Sequence, residues 1–470
     1  MILADAYSEE GDEAKAAQAR HLANAAPTPG VIWPALGPKH GLSDHQAEQW
    51  AYASPRPLGL LTGTPGTGKT YTVGAVVKTL CDRIGEEGIA ICAPTGKAAV
   101  RLGESLRRVA VSIQPRTIHS LLEIGRNGHD GDGWGFQRNE GNPLDERVVI
   151  VDEASMLDTD LAASLLRACG PGTHVLLVGD PYQLPPVGHG APLRDMIAAG
   201  LPRGHLSEIQ RNAGMIVRAC AAIKDGKHFE TCDTFDPESG QNLKHIEVAE
   251  PAQQLGELEK VMRAASKSSR FSGLFETQVI VPTNKSGDLG RKEVNRILQG
   301  MLNPAGRTEA PNPFRVMDKI ICLKNGWHQQ TREAGGTEAY VANGEIGQVV
   351  GVEPRATVAT FFSPTRSIRI PMGRPREGEE EEGAGCDFDL GYAITCHKSQ
   401  GSEWPCVIVL ADPSPGARRV CTREWIYTAI SRASQLCITI GKESVLQQMV
   451  ARVSLEKRKT FLVEEIGRAW

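Results

Sequence analysis

A glycine-rich stretch, "GTPGTGKT" (Gly63 to Thr70), has the residue types and spacing of a phosphate-binding loop. It follows the apolar run "LGLL" and precedes a segment whose apolar residues have helical spacing. Backbone N–H groups of such a loop, with the helix N-terminus behind them, bind phosphate oxygens. Lys69 would reach the β- and γ-phosphates, and the Thr70 hydroxyl would ligate Mg²⁺. The residues predicted to contact the nucleotide here are Gly63, Thr64, Pro65, Gly66, Thr67, Gly68, Lys69 and Thr70.

Two adjacent acids end another apolar run, "VVIVDEAS". Asp152, at the end of this predicted buried strand, would hold Mg²⁺ through water. Glu153 would accept a proton from the water that attacks the γ-phosphate. Together with the glycine-rich loop, this pair predicts a site that hydrolyses ATP and uses Mg²⁺.

Two side-chain amides extend the predicted nucleotide site. Gln183 lies in "VGDPYQLPPV", after a third apolar run, where its amide is suited to contact the γ-phosphate or the attacking water. Gln46 lies in "GLSDHQAEQW", just before the strand that leads into the glycine-rich loop. There it is placed to read the edge of adenine.

Two further turns have groups that bind a nucleic-acid backbone. "APTGKAAVRL" places Pro94, Thr95 and Lys97 in a turn after the second apolar run. N–H groups and hydroxyls in such a turn bind backbone phosphates. "TIHSLL" repeats this chemistry with Thr117 and His119, although His119 is equally compatible with a satisfied histidine in the core.

The elements that must position these residues are short apolar runs separated by helical patterns. "LGLLTG", "GIAICAP", "RVVIVDEA" and "HVLLVGD" form one series, and "TQVIVPTN", "KIICLKN", "CVIVLAD" and "CITIGK" form a second. Continuous apolar strands alternating with helices indicate buried parallel sheets in α/β domains. Residues of about 326 to 385 differ, because "NGEIGQVVGVE", "ATVATFF" and "SIRIPM" resemble short strands joined by turns. We therefore expect two α/β domains, the second interrupted by a small β-barrel.

Composition limits the class of protein without identifying a partner. The 470 residues exceed one hydrophobic core, and 40% hydrophobic with 23% charged residues is ordinary for a globular protein. No apolar run is long enough to span a membrane, and the first residues lack the pattern of a secretory signal. The 11 cysteines occur singly, which predicts reduced thiols and a cytoplasmic location. A net charge of −4, partly due to the acidic run "EGEEEE", does not exclude a local basic groove for nucleic acid.

In order, nine stretches resemble the motif series of superfamily one helicases, most closely the RecD- and Dda-like DNA helicases of bacteria and phages. They are "LSDHQ", "GTPGTGKT", "APTGKAA", "TIHSLL", "VDEAS", "GDPYQLPPV", "LSEIQRN", "AITCHKSQGSEW" and "IYTAISRA", and they extend from about residue 41 to 441. RNA-active relatives usually have an acid where His397 and Lys398 stand. The chain departs from the larger RecD-like proteins in having almost no N-terminal domain.

The resemblance implies two RecA-like domains, with ATP bound between them and single-stranded DNA across them. It implies that Arg211 and Arg432 contact the phosphates and stabilise the γ-phosphate while it is transferred. It also implies that a loop of the second domain couples DNA binding to nucleotide binding. The residues that resemble this loop are Thr395, His397, Lys398, Gln400, Gly401 and Glu403. Of these, Gly401 and Glu403 are assigned to the nucleotide, and Thr395, His397 and Lys398 to DNA.

Placed on this family pattern, the chain is divided as follows. Residues 1–40 are a tail, and 41–203 are the first RecA-like domain with a hairpin insertion at about 122–147. Residues 204–325 and 386–470 are the second RecA-like domain, and 326–385 are an SH3-like β-barrel insertion.

The polar segment "GDGWGFQRN" (131–139) contains two aromatic residues without apolar neighbours in sequence. RecD-like helicases insert a small hairpin, the pin, at this place in the series. The resemblance assigns Phe136, and second to it Trp134, to the tip that meets the DNA fork, where an aromatic ring can stack on a base. The alternative is a surface loop whose aromatic residues have no role.

These observations predict an ATP- and Mg²⁺-dependent DNA helicase that moves 5′ to 3′ on single-stranded DNA and unwinds duplex or forked DNA. The direction comes from the resemblance alone. We expect a monomeric motor with no membrane association, and replication or recombination proteins as partners. Two alternatives stay open, namely a DNA-stimulated ATPase that remodels protein–DNA complexes without unwinding, and an RNA helicase.

Overall fold

The computed structural model describes residues 30–126, 134–209, 214–267, 274–285, 287–331, 336–362, 364–373, 386–454, 460 and 462–469. The chain forms two compact units. The first contains residues 1–212 and 454–470, and the second contains residues 213–453.

The first unit is built on a six-stranded parallel sheet with the strand order β3-β2-β6-β7-β1-β8. Its strands, with a separate hairpin of β4 and β5, are β1 (Leu58–Gly63), β2 (Ile89–Ala93), β3 (Arg116–Thr117), β4 (Ile124–Arg126), β5 (Trp134–Phe136), β6 (Val148–Val151), β7 (His174–Gly179) and β8 (Arg203–Leu206). The central strands are buried on both faces, which is why their sequences are continuous apolar runs. The parallel sheet predicted from these runs is confirmed.

Helices cover both faces of this sheet. They are α1 (Asp44–Ala53), α2 (Lys69–Ile84), α3 (Gly96–Arg108), α4 (Ile118–Leu121), α5 (Thr159–Ala168) and α6 (Pro192–Ala198). Successive strand residues face opposite sides, so Leu60 and Val149 pack in one core while Leu61 and Ile150 pack in the other. This arrangement places the carboxyl ends of the parallel strands, and the loops that follow them, along one edge.

The second unit contains a five-stranded parallel sheet with the order β18-β10-β19-β20-β9. Its parallel strands are β9 (Leu243–Glu247), β10 (Thr277–Val281), β18 (Ala393–Thr395), β19 (Trp404–Ala411) and β20 (Ala433–Gly441). Its helices are α7 (Met215–Lys224), α8 (Pro251–Lys267), α9 (Arg291–Leu302), α10 (Cys396–Ser399), α11 (Pro415–Val420), α12 (Arg423–Ser431) and α13 (Glu443–Ala451). Two α/β sheets, the second interrupted, match the prediction.

The interruption is an antiparallel sheet with the order β16-β15-β14-β11-β17, accompanied by a two-stranded ribbon, β12–β13. Its strands are β11 (Lys319–Cys322), β12 (Gly326–Gln329), β13 (Glu338–Val341), β14 (Ile346–Glu353), β15 (Ala356–Phe362), β16 (Thr365–Pro371) and β17 (Phe388–Leu390). The acidic run at 377–382 lies outside the described residues.

One strand was assigned to the wrong sheet. "KIICLKN" was predicted as a strand of the second parallel sheet, but β11 pairs antiparallel with β14 and β17. Ile320 packs with Phe314 and Phe361 in the core of the insertion. A continuous apolar run indicates a strand that is buried on both faces of its sheet. It does not distinguish parallel from antiparallel pairing. The insertion therefore begins at β11 rather than at residue 326.

The described part of the predicted N-terminal tail is packed into the first unit. Trp33 is buried, its ring meets that of Trp50 edge-on at 5.7 Å, and Trp50 Nε1 donates to the Pro34 carbonyl at 2.7 Å. Residues 1–29 lie outside the described part of the chain. The tail prediction is thus wrong for residues 30–36, because two tryptophans bury more apolar surface than their short segment suggests.

The sequence predicts that the C-terminal residues belong to the second domain. In the structure, residues 454–470 belong to the first unit. Helix α14 (Leu462–Ala469) packs its Leu462 and Ile466 against the core that contains Leu60, and Thr460 Oγ1 donates to the Asp195 carboxylate. The apolar face of this helix is therefore covered by α6 and its neighbours. Among the described residues, no helix has the length and apolarity needed to cross a membrane.

Candidate nucleotide site and nucleic-acid loops

The phosphate-binding loop leaves the carboxyl end of β1 and leads into α2. Gly66 and Gly68 have φ angles of +80° and +83°, which L side chains rarely adopt. Lys69 begins α2, and its Nζ donates to the carbonyls of Gly63 at 2.7 Å and Thr64 at 3.1 Å. The loop thus has the backbone conformation expected of a phosphate-binding loop, with an ammonium group at its centre.

The acid pair lies at the same edge of the sheet, at the end of β6. Burial and the neighbouring Glu153 carboxylate raise the pKa of Asp152 to about 6, while the charges of Lys69 and Arg101 act in the opposite direction. β1 and β6 both pair with β7 in the parallel sheet, so the loop and the acid pair follow strand ends at one edge although they lie far apart in sequence. Glu153 has a φ of +53°, and its N–H donates to Asp152 Oδ1 at 2.9 Å.

These residues fit a divalent cation. A carboxylate that burial makes costly to ionise is stabilised by a cation beside it. Asp152 and the Thr70 hydroxyl are the groups that would hold it, and Mg²⁺ usually takes few protein ligands and completes its shell with phosphate and water. The described residues contain no cluster of three or more His, Cys, Asp or Glu side chains that could hold a metal ion.

Gln183 follows β7 at the same edge, but its amide is buried. The side chain is 5% exposed, and its Nε2 lies 3.5 Å from Asp180 Oδ2. Gln183 and Ser155 line a small pocket, and the described residues supply no hydrogen-bond partner to Gln183 Oε1 or Ser155 Oγ. The predicted contact of Gln183 with the γ-phosphate stays a prediction.

Gln46 takes part in the capping box at the start of α1, whose N-cap residue is Ser43. Its Oε1 accepts the Ser43 N–H at 3.0 Å, and its own N–H donates to Ser43 Oγ at 3.1 Å. The predicted contact of the Gln46 amide with adenine stays a prediction.

The two predicted phosphate-binding turns are both helix N-termini. Thr95 Oγ1 accepts the Ala98 N–H at 3.3 Å at the start of α3, and Thr117 Oγ1 accepts the Ser120 N–H at 3.1 Å at the start of α4. Pro94 and Lys97 flank the first cap and are partly buried. Helix N-termini attract phosphates, so this geometry suits the predicted chemistry.

His119 is on the surface, which removes the alternative of a core histidine. Its ring centroid lies 5.7 Å from that of Phe136. The predicted hairpin is present, since β4 and β5 pair antiparallel.

The placement of Phe136 at the tip of this hairpin is wrong. Phe136 pairs with Ile124 at the base, is partly buried and packs against the core of the first unit. Trp134 is paired with Arg126, two positions nearer the connecting residues 127–133, which lie outside the described chain. Phe136 packs against an apolar core that lies close to it in the fold. Its polar neighbours in sequence did not indicate this contact.

The predicted coupling loop of the second unit begins at the end of β18, where Thr395 precedes α10. The Lys398 ammonium donates to Asn343 Oδ1 at 2.6 Å and to the Leu323 carbonyl at 3.4 Å, and burial lowers its pKa. The predicted contact of Lys398 with DNA stays a prediction; in the structure Lys398 joins α10 to the insertion. His397 is exposed on the same short helix.

Arg432 is buried and held by its own unit. Its Nη1 donates to the Ser402 carbonyl at 3.1 Å and its Nη2 to Ser431 Oγ at 3.2 Å. This places Arg432 beside the segment Gly401–Glu403, in which Gly401 has a φ of +70°. The fold therefore brings these predicted residues together. Arg211 lies outside the described residues.

Sequence reasoning missed two residues that act on predicted site residues. Arg101 on α3 lowers the pKa of Asp152, and Asn343 in the insertion accepts a hydrogen bond from Lys398. Arg101 lies within "APTGKAAVRL", but its proximity to Asp152, like that of Asn343 to Lys398, arises from the tertiary fold.

A phosphate-binding loop and an acid pair on one edge of a parallel sheet define a P-loop nucleoside triphosphatase. Residues 41–267 match the family model described as an AAA domain, and residues 390–440 match the UvrD-like helicase C-terminal domain. The chain belongs to the RecD-like group of superfamily one helicases.

Known relatives agree with this assignment. The chain is 33% identical over 435 residues to the ATP-dependent RecD2 DNA helicase of Deinococcus radiodurans, covering 91% of this chain and 53% of that protein. It is 29% identical over 420 residues to the RecBCD enzyme subunit RecD of Mycolicibacterium smegmatis, covering 84% and 70%. The chain thus spans about half the length of the Deinococcus relative.

Among solved structures, Pif1 helicase from Bacteroides in complex with ADP-AlF3 and single-stranded DNA matches with a TM-score of 0.48 and 19% identity, over 87% of this chain and 92% of that one. This likeness is too remote to add to the assignment.

Proposed function

We propose that this chain is an ATP- and Mg²⁺-dependent motor that moves 5′ to 3′ on single-stranded DNA and unwinds duplex DNA. The observation that carries the proposal is the meeting of Lys69, Asp152 and Glu153 at one sheet edge, within a chain that has the RecD-like motif series. The direction rests on the family. The insertion serves as an SH3-like barrel beside the coupling loop, to which the Lys398–Asn343 hydrogen bond ties it.

The chemistry is the transfer of the γ-phosphoryl group to water. The water oxygen bonds to phosphorus, the bond to the β-phosphate oxygen breaks, and Glu153 accepts the proton that the water loses. Lys69 stabilises charge on the β- and γ-phosphate oxygens. Mg²⁺, when bound, neutralises charge on the same oxygens.

DNA contacts arise at the caps of α3 and α4 and at the coupling loop. The helix N-termini capped by Thr95 and Thr117 suit phosphate oxygens, and His119 adds a donor at the surface. We expect log Kd for single-stranded DNA to change linearly with log salt, with a slope of about 0.7 for each phosphate contacted.

DNA-stimulated ATPase activity tests the proposal. Turnover is expected to be low without DNA and to rise on addition of single-stranded oligodeoxynucleotides, measured by phosphate release at fixed salt. An oligoribonucleotide of the same sequence is expected to stimulate weakly. Equal turnover with and without nucleic acid contradicts a DNA motor, and stronger stimulation by RNA favours an RNA helicase.

Arg432→Ala is expected to slow hydrolysis far more than it weakens ATP binding, because an arginine that contacts the phosphoryl group in transit contributes roughly 10³–10⁵ in rate. Single-turnover hydrolysis and equilibrium ATP binding are to be measured separately. Arg418→Ala, on α11, is the control. An Arg432→Ala protein that melts like the wild type and changes only its ATP Kd contradicts this role.

The positions of the hairpin aromatics predict different effects for their loss. Trp134→Ala is expected to reduce fork unwinding and to spare DNA-stimulated ATPase activity. Loss of base stacking costs about 1–3 kcal/mol, and this stacking acts only at the junction where the strands separate. Phe136→Ala is expected to lower the melting temperature, since it removes part of the core packing at the base. Wild-type unwinding by Trp134→Ala contradicts the stacking role.

A further inference from the structure

Tyr71 presents an exposed aromatic ring beside the phosphate-binding loop. It lies in the first turn of α2, directly after Thr70, and is 47% exposed. Its hydroxyl end lies against Gly41, where a Cβ would come within 2.7 Å of Tyr71 Oη. Gly41 also has a φ of +83°, so a side chain is disfavoured there on two grounds. The ring thus extends from the loop helix to the turn that precedes α1.

The base of a nucleotide bound to this loop must lie close to that ring. The N–H groups at the start of α2 bind phosphates, and the sugar and base are covalently attached to the α-phosphate. Tyr71 is the next residue after those that contact the phosphates. Gln46 and Ser43, which follow Gly41, border the same region from α1.

Gln46 and Tyr71 offer different contacts to the base. Gln46 Oε1 accepts the Ser43 N–H at 3.0 Å, and an amide oxygen has a second lone pair, so the Gln46 amide can still contact the edge of a base. Tyr71 offers the face of an aromatic ring instead.

We propose that Tyr71 is the stacking face for the purine base of the bound nucleoside triphosphate. This inference rests on the proposed nucleotide site and adds to it the residue that holds the base. Stacking depends on the π-face that every base has, so it supplies affinity without selecting a base. The aromatic ring, not the hydroxyl, is the functional part.

Equilibrium binding of ATP, GTP and inorganic tripolyphosphate tests this proposal in three variants. Tyr71→Ala is expected to weaken ATP and GTP binding by about 5- to 150-fold, the range of base–aromatic stacking. It should leave tripolyphosphate binding unchanged, because that probe has no base. Tyr71→Phe should bind all three like the wild type. Tyr52→Ala, which removes a tyrosine of α1 that bonds Glu48, is the matched control.

Each outcome is informative. Unchanged ATP affinity in Tyr71→Ala overturns the stacking role, and so does a parallel loss of tripolyphosphate binding, which would indicate damage to the loop itself. Failure of the wild type to bind both ATP and tripolyphosphate refutes the nucleotide site and with it the proposed function.

Discussion

Lys69→Ala is expected to abolish ATP turnover, with a loss of at least about a hundredfold in kcat. The Lys69 ammonium lies at the centre of the loop, on the carbonyls of Gly63 and Thr64, and its charge reaches Asp152. A bound triphosphate would exchange these carbonyls for phosphate oxygens, whose charge the ammonium stabilises as the terminal bond breaks. No other described lysine lies in this loop.

The measurement is steady-state phosphate release with saturating DNA. Lys78→Ala is the matched control, because Lys78 is exposed on the same helix and two turns away. It is expected to turn over ATP at the wild-type rate. Turnover by Lys69→Ala within tenfold of the wild type contradicts the assignment of the loop.

Glu153→Gln is expected to bind ATP with nearly wild-type affinity and to stall before hydrolysis, with a loss of about 10²–10⁴ in rate. The amide keeps the size of the side chain and removes the group that accepts the proton. Glu153 occupies an αL conformation, and its N–H donates to Asp152 Oδ1; glutamine keeps both of these backbone features. The fold should therefore survive the substitution.

Rapid-quench single-turnover hydrolysis, with a parallel ATP-binding titration, measures the two effects separately. Glu87→Gln, at an exposed position of the first unit, is the control. Normal turnover by Glu153→Gln assigns the base elsewhere. A large loss of ATP affinity, with hydrolysis of the bound nucleotide unchanged, gives Glu153 a binding role.

The nucleotide loop and the acid pair were predictable from sequence because their chemistry needs particular residues next to particular strands. Lys69 must follow a tight glycine turn, and Asp152 must end a buried strand. Parallel strands bring such ends to one edge whatever their separation along the chain. The motif and the fold class therefore support each other.

Other features depended on tertiary contacts that local sequence does not record. β11 has the same apolar run as a parallel strand, and its antiparallel partners lie tens of residues away. Phe136 sits in a polar segment, yet the fold places a core beside it. Residues 454–470 follow the second unit in the chain but bury Leu462 against the first.

The hydrogen bonds around the motifs differ in how far the sequence reveals them. Gln46 was predicted to face adenine, which stays a prediction, and its Oε1 accepts the Ser43 N–H in a capping box. The capping box S-x-x-Q is visible in "SDHQ", so this use could have been read from the sequence. The Lys398–Asn343 hydrogen bond could not, since it joins an insertion to a motif 55 positions away.

The most direct test of a DNA motor of this polarity is the unwinding of matched forks. Four substrates share one duplex and carry a single-stranded tail at either the 5′ or the 3′ end, in DNA and in RNA, and strand release is followed with ATP and Mg²⁺. We expect release of the DNA fork with the 5′ tail, little release with the 3′ tail, and no release with Glu153→Gln. Release that requires a 3′ tail or an RNA tail, or robust DNA-stimulated ATP turnover without strand release on any fork, contradicts this expectation.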